Sequence, residues 1–172
     1  MSYVFIYDKT QGWLTASWWF GAALRSLRPG KDIILNIRSW DEMVEQLNAL
    51  PKGSVERVEY WGHGLSSAVH CAGVPLPEDV LELVADRMTG PTALWWWRTC
   101  KTFWGEPGHD FAKKCAEALG CRVAGFTHWI WLWQSGLTAT GPEETAPWPT
   151  TGGKRSWPWR ENTVFCTSSG PF

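Results

Sequence analysis

Residues 94–97 form a short apolar run with three consecutive tryptophans, and the run stops at Arg98, Thr99 and Cys100. It is too short for a core helix, and it has the continuous apolar pattern of a strand that is buried on both faces. Such strands are typical of parallel sheets, in which ligands bind beyond the carboxyl ends of the strands. Cys100 is therefore predicted to lie at the open edge of a parallel sheet.

A second predicted strand, residues 55–61, is followed by Gly62, His63 and Gly64. One crossover separates this strand from the one that ends at Cys100. Strands that are consecutive in the chain lie next to each other about two times in three, and neighbouring strands are about 4.8 Å apart. We therefore predict that His63 and Cys100 reach a common ligand, as a base and a nucleophilic thiol.

The rest of the chain alternates strands and helices, which predicts an α/β domain over residues 1–140 with a mostly parallel sheet between helices. Residues 141–172 are rich in Pro, Gly and Trp, and are expected to form an irregular C-terminal arm with at most a short strand at 163–166. A capping box of Ser39 and Glu42 is predicted to start the second helix. The predicted strands are 3–7, 32–37, 55–61, 93–99, 122–127 and 129–133, the helices are 13–27, 39–50, 77–88 and 108–119, and a hairpin is expected at 68–76.

Composition and charge limit the partners and the compartment. The net charge is −1 over 172 residues, so no global field attracts nucleic acid or an anionic membrane, and neither is predicted as a partner. The five cysteines show no CxxC spacing, which argues against a disulfide framework and a zinc site, so no metal or other cofactor is expected. With no apolar run long enough to span a bilayer, we expect a cytoplasmic protein. The oligomeric state is left open.

The residues at the two strand ends have the chemistry of a cysteine hydrolase. A thiol attacks a carbonyl as the thiolate, and an imidazole can accept its proton and return it to the leaving group. Arg98 and Lys101 add positive charge near the thiol. Gly64 has no side chain, so a substrate carbonyl can approach its N–H, which with the N–H of Cys100 would form an oxyanion hole.

The segment from Trp61 to Gly64, followed by a small hairpin, a helix and a strand that ends in Arg98-Thr99-Cys100, resembles the caspase-like cysteine peptidases. This family includes caspases, gingipains, legumains and separases. The resemblance covers roughly residues 3–137 and implies a caspase-like topology, with His63 as base, Cys100 as nucleophile and Gly64 with Cys100 as oxyanion donors. It also implies that the loops 8–12, 101–108 and 127–136 build the primary substrate pocket.

The function predicted from the sequence is thus a cysteine endopeptidase that acts on a protein or peptide substrate. Arg98, Thr127 and Gln134 are the candidate substrate-binding residues. The residues beside Cys100 differ from the caspase pattern around the nucleophile, and the arm has no counterpart in the family. The charge preference of the pocket is left open.

Two other interpretations stay open. In one, a caspase-like domain without activity binds protein partners through its fifteen tryptophans. In the other, the basic aromatic segment 154–160 contacts a membrane or single-stranded nucleic acid. The remainder of the chain is not basic, which weighs against this second alternative.

Overall fold

The structure, a computed structural model, describes residues 2–12, 32–129, 134–143 and 154–156. Its helices are α1 (Trp40–Asn48), α2 (Gly105–Leu119) and one 3₁₀ helix (Glu82–Arg87). Its strands are β1 (Ser2–Asp8), β2 (Asp32–Ile37), β3 (Val55–Trp61), β4 (His63–Leu65), β5 (Ala68–Cys71), β6 (Val74–Pro75), β7 (Leu94–Arg98), β8 (Arg122–Phe126), β9 (Gln134–Thr140) and β10 (Lys154–Ser156).

Seven strands form one sheet in the order β10-β9-β8-β7-β3-β1-β2. Strands β2, β1, β3, β7 and β8 are parallel, whereas β9 and β10 are antiparallel to their neighbours. The predicted α/β class with a mostly parallel sheet is confirmed, and so is the predicted adjacency of β3 and β7. A second sheet, in the order β4-β5-β6, contains the predicted hairpin and one further strand that begins at His63.

The three tryptophans of β7 are fully buried because both faces of this central strand are covered. Successive side chains of a strand point to opposite faces, so Trp95 and Trp97 lie in the core cluster that contains α1 and α2, while Trp96 packs with Phe126 on the other face. The two described helices and the 3₁₀ helix all contribute to the first cluster. The predicted helix 13–27 lies outside the described residues.

The ends of the helices follow local signals, with two differences from the prediction. The Ser39 hydroxyl caps α1 by accepting from the Glu42 N–H (3.2 Å). The Glu42 carboxylate, however, accepts from the N–H of Arg38 (2.7 Å), so the capping box is only half formed. Helix α2 ends before Gly120 as predicted, but it begins at Gly105 instead of Gly108. The first turn can include Pro107 because the N–H groups of a first turn have no acceptor within the helix, so the missing N–H of proline costs no hydrogen bond.

Three predicted elements differ from the structure. The helix predicted at 77–88 is reduced to the 3₁₀ helix Glu82–Arg87. The chain after it is extended, and Met88 forms a parallel β-bridge with Val55. The turn predicted at Gln134 to Gly136 is instead the start of β9, which pairs with β10 at Gln134 and with β8 from Leu137 onward. The arm contains β10, not predicted as a strand. Residues 130–133 and 163–166 lie outside the described residues.

Candidate active site

His63 and Cys100 lie at the same edge of the large sheet. The parallel ladder of β3 and β7 ends with the pair Trp61 and Arg98, and His63 and Cys100 each follow this pair by two residues. Adjacent strands are about 4.8 Å apart, so the fold brings the two residues to neighbouring positions. His63 is exposed and Cys100 is partly exposed, which leaves both accessible to a ligand.

Gly64 packs directly against the turn that carries Cys100. A Cβ atom at Gly64 would lie 2.5 Å from Thr102 Oγ1 and 2.7 Å from Thr99 Cβ. Both distances are too short for a real Cβ contact. Only glycine therefore allows β4, the strand that begins with His63, to approach the turn this closely.

The turn itself has an uncommon backbone conformation. Lys101, the residue after Cys100, has a φ of 50°, in the left-handed region that few side chains adopt. Its N–H donates to the carbonyl of His128 (3.0 Å), which ties the turn to the end of β8. The hydroxyls of Thr99 and Thr102 are hydrogen-bonded to each other beneath Cys100.

The hairpin of β4 and β5 holds the turn from the other side. The Ser67 N–H donates to the Thr102 carbonyl (3.2 Å), and the Ser66 hydroxyl donates to the Trp104 carbonyl (2.9 Å). The backbone around Cys100 is thus fixed by the His63 hairpin and by β8 together. Such positioning is what a nucleophile requires if it is to meet its base in one geometry.

The cysteines of the described residues differ in accessibility. Cys71, Cys115 and Cys121 are buried, and burial raises the pKa of each thiol to about 12. For Cys71 the negative charge of Asp8 raises the pKa further. Cys100 is the partly exposed cysteine among the four. The structure therefore separates one accessible thiol from three that resist ionisation.

Arg98 lies inside the protein rather than in the site. Its side chain is 0% exposed, its Nε donates to Glu59 Oε2 (2.8 Å), and its guanidinium lies 3.6 Å from the centroid of the Trp96 ring. Strand alternation directs Arg98 to the face that carries Glu59, and Arg57 also pairs with this carboxylate (2.6 Å). This burial does not support the expectation that Arg98 binds substrate, so we leave it out of the proposed site.

Thr127 and Gln134 are at the same edge as Cys100. Thr127 follows β8, its N–H and hydroxyl both donate to the Gly136 carbonyl (2.9 and 3.2 Å), and its hydroxyl lies 2.7 Å from His128 Nδ1. Gln134 begins β9, where it pairs with Ser156 of β10. These hydrogen bonds make Thr127 a residue that shapes the loop after β8.

The loop after β1 is closed by the carboxylate of Asp8. It accepts hydrogen bonds from Thr10 N (2.8 Å), Thr10 Oγ1 (2.7 Å), Gln11 Nε2 (2.9 Å) and Ala72 N (3.0 Å). Burial acts to raise the pKa of Asp8, but the hydrogen bonds outweigh burial and lower the pKa below its ordinary value. The Asp8 carboxylate thus links the turn between β5 and β6 to the loop 8–12, which is predicted to build part of the pocket.

Lys101, Trp104 and Trp129 lie in two of the predicted pocket loops, although they were not among the candidate substrate-binding residues, and they form a cluster next to Cys100. The Lys101 ammonium lies 5.2 Å from the ring centroid of Trp104 and 4.9 Å from that of Trp129. The two tryptophans are 54% and 61% exposed, unlike the tryptophans of β7. The signal available in the sequence was their position in the loops 101–108 and 127–136, which the family resemblance assigns to the pocket. We call Trp104 and Trp129 the exposed tryptophan pair.

The described residues contain neither a metal-binding cluster nor a membrane-spanning helix. Within the described ranges, no three or more His, Cys, Asp or Glu side chains are grouped so that they could hold a metal ion. No helix in the same ranges is long and apolar enough to cross a membrane. The chain matches no protein-family model and no curated protein.

Proposed function

We propose that this protein is a cysteine endopeptidase of caspase-like topology in which Cys100 is the nucleophile and His63 the general base. The contact of Gly64 with Thr99 and Thr102 carries the proposal, because it holds the strand of His63 against the turn of Cys100. The accessibility of Cys100, in contrast to the three buried thiols, supports it. The parallel sheet, with antiparallel β9 beside β8, is compatible with this topology.

The proposed reaction has two stages. The Cys100 thiol gives its proton to His63, and its sulfur attacks the carbonyl carbon of the scissile peptide bond, while the N–H groups of Gly64 and Cys100 stabilise the oxyanion. His63 then returns the proton to the leaving amine as the C–N bond breaks, which leaves a thioester on Cys100. In the second stage His63 takes a proton from water, the resulting hydroxide attacks the thioester, and the proton returns to the thiolate.

The surface beside Cys100 offers a place for a peptide substrate. The exposed tryptophan pair projects from the loops after β7 and β8, which are two of the three loops that the family resemblance assigns to the pocket. Indole faces bind apolar and peptide groups through a large contact area, and the Lys101 ammonium adds a positive charge between them. A substrate chain that crosses the thiol would contact these side chains.

A fluorogenic peptide library tests the proposal. We expect Cys100→Ala to abolish hydrolysis, and His63→Ala to lower kcat/KM by at least about 100-fold, the scale of general acid–base catalysis. His70→Ala is the matched control, because His70 is the cross-strand partner of His63 on β5 and is given no role in the proposed reaction. Hydrolysis by Cys100→Ala at the wild-type rate would refute the mechanism.

The exposed tryptophan pair also favours one alternative, a domain of the same fold that binds a protein partner without catalysis. Large exposed aromatic residues are enriched at interfaces and at binding hot spots. The two functions differ in what they require of Cys100, since a binding domain needs no activated thiol. The reactivity of the Cys100 thiol toward an alkylating reagent therefore separates them.

A further inference from the structure

A cleft of about 720 Å³ lies between helix α2 and the segment that leads from β6 into the 3₁₀ helix. Its floor is apolar and includes Leu76, Leu81, Phe111 and Ala118. Leu81 belongs to the buried core, and the other three are partly buried and pack against it. The volume is in the range of ligand-binding clefts, about 300–1,000 Å³.

The rim of this cleft is acidic. Four exposed carboxylates line it, those of Glu78, Glu82, Asp110 and Glu117, whereas Lys114 is the one basic residue among the lining residues that the structure describes. The whole chain has a net charge of only −1, so negative charge is concentrated here. Glu117 also lies 4.0 Å from Lys113, but both side chains are more than half exposed, so this ion pair is weak and leaves the Glu117 carboxylate available to a ligand.

We propose that this cleft binds a peptide segment that combines apolar side chains with two or more lysines or arginines. The apolar side chains would cover the floor, which removes apolar surface from water, and the basic side chains would meet the carboxylates of the rim. A nucleic acid or an anionic membrane would face four like charges, so the rim disfavours both. Charge complementarity together with the apolar floor thus selects a basic, partly apolar peptide.

The cleft is separate from the candidate active site, but a hydrogen bond joins one of its lining residues to the turn that carries Cys100. Ser67 lines the cleft, and its N–H is bonded to the carbonyl of Thr102 in the turn that carries Cys100. Neither Cys100 nor His63 lines the cleft. The proposal therefore goes beyond the proposed function, because binding at the cleft requires no catalysis and can be measured in a variant without the thiol.

Fluorescence anisotropy with the full chain carrying Cys100→Ala tests the proposal. The probe is a short fluorescein-labelled peptide of repeated Leu-Lys-Lys units. Two further labelled peptides test its parts: Leu-Glu-Glu repeats reverse the charge, and Gly-Lys-Lys repeats remove the apolar side chains. We expect the first peptide to bind at least about tenfold more tightly than either of the others, and its affinity to fall as salt is added.

Variants locate the binding. The double variant Glu82→Lys with Asp110→Lys should weaken binding of the Leu-Lys-Lys peptide at least about tenfold, because it places two positive charges on the rim. Asp41→Lys with Glu45→Lys on α1 is the matched control, with the same change in net charge at exposed positions outside the cleft. Ala118→Trp should also weaken binding by filling the floor without a change in charge.

Circular dichroism melting identifies variants that fail to fold. The rim and control variants change exposed side chains, so the comparison between them stays valid if Ala118→Trp is unstable. Equal loss of affinity in both double variants would overturn the proposal in favour of a nonspecific charge effect. Binding of the Gly-Lys-Lys peptide as tightly as the Leu-Lys-Lys peptide would overturn the role of the apolar floor.

Discussion

Partial alkylation at mildly acidic pH should separate Cys100 from the three buried thiols among the described residues. Burial raises the pKa of Cys71, Cys115 and Cys121 to about 12. At pH 6.5 a thiol with a pKa of about 12 is ionised to about three parts per million, against about 1% for a thiol with the ordinary pKa of about 8.5. Since the thiolate is the nucleophile, ionisation alone predicts that each buried thiol reacts about 3,000-fold more slowly than an ordinary thiol.

The assay uses limiting iodoacetamide and peptide mass spectrometry. We expect carboxymethylation at Cys100 first in a Cys166→Ser background, which removes the cysteine that lies outside the described residues. His63→Ala should slow labelling of Cys100 and leave the buried thiols unchanged, because an adjacent imidazole lowers a thiol pKa. His70→Ala, on the opposite strand of the small sheet, should leave all rates unchanged.

Two results would refute this reasoning. If Cys71, Cys115 or Cys121 reacts before Cys100 in the folded protein, the strand-end cysteine is structural and the binding domain is favoured. If Cys100 reacts first but His63→Ala does not alter its rate, Cys100 is accessible but His63 is not its base. A control in urea, in which all four thiols should react at similar rates, shows that the selectivity comes from the fold.

Two further predictions concern the framework of the site. Gly64→Ala should lower the free energy of unfolding in urea by about 1–3 kcal/mol, as expected for an overpacked site, because the new Cβ would lie 2.5 Å from Thr102 Oγ1. The same displacement should slow labelling of Cys100. Unchanged stability would show that the turn can move. Asp8→Asn should cost about 1–3 kcal/mol at neutral pH, because the hydrogen bonds to the Asp8 carboxylate are charge-assisted. The pKa of Asp8 is lower in the folded than in the unfolded chain, so the stability that this carboxylate contributes is present above the unfolded value of about 3.9 and is lost as the pH falls through the folded value. The difference between wild type and Asp8→Asn should therefore shrink in acid, and a difference that stays constant below pH 3.9 would contradict the assignment.

The elements with local signals are predictable from the sequence. Ser39 caps the start of α1 with its hydroxyl, and Gly120 ends α2 in the left-handed conformation. Both signals depend only on residues within one turn. The apolar run of β7 predicts a strand that is covered on both faces. Alternation of strands and helices then predicts the parallel sheet and the adjacency of β3 and β7, because short connections keep consecutive elements together.

The partners of individual side chains depend on the tertiary structure. Arg98 is two residues from Cys100 in the chain, yet it points into the core, where its partner Glu59 is 39 residues away. Gly64 can be identified in the sequence as a residue without a side chain, but the close approach of Thr99 and Thr102 that excludes one exists only in the folded protein. To predict which side chains meet across two strands, one must know the register in which the strands pair, and no local sequence pattern gives this register.

The exposure of individual tryptophans and the pairing of β9 also depend on the tertiary structure. Composition predicts burial for any indole, and Trp95, Trp96 and Trp97 are buried, but Trp104 and Trp129 are exposed because they follow the strand ends instead of lying within the sheet. Gly136 signals a turn locally, yet it lies within β9, which pairs with β8 from Leu137 onward and with β10 at Gln134. Sequence by itself determined the class of the fold and the two strand ends that carry His63 and Cys100. Burial, pairing and exposure were decided by the tertiary structure, because each depends on which distant segments cover a residue.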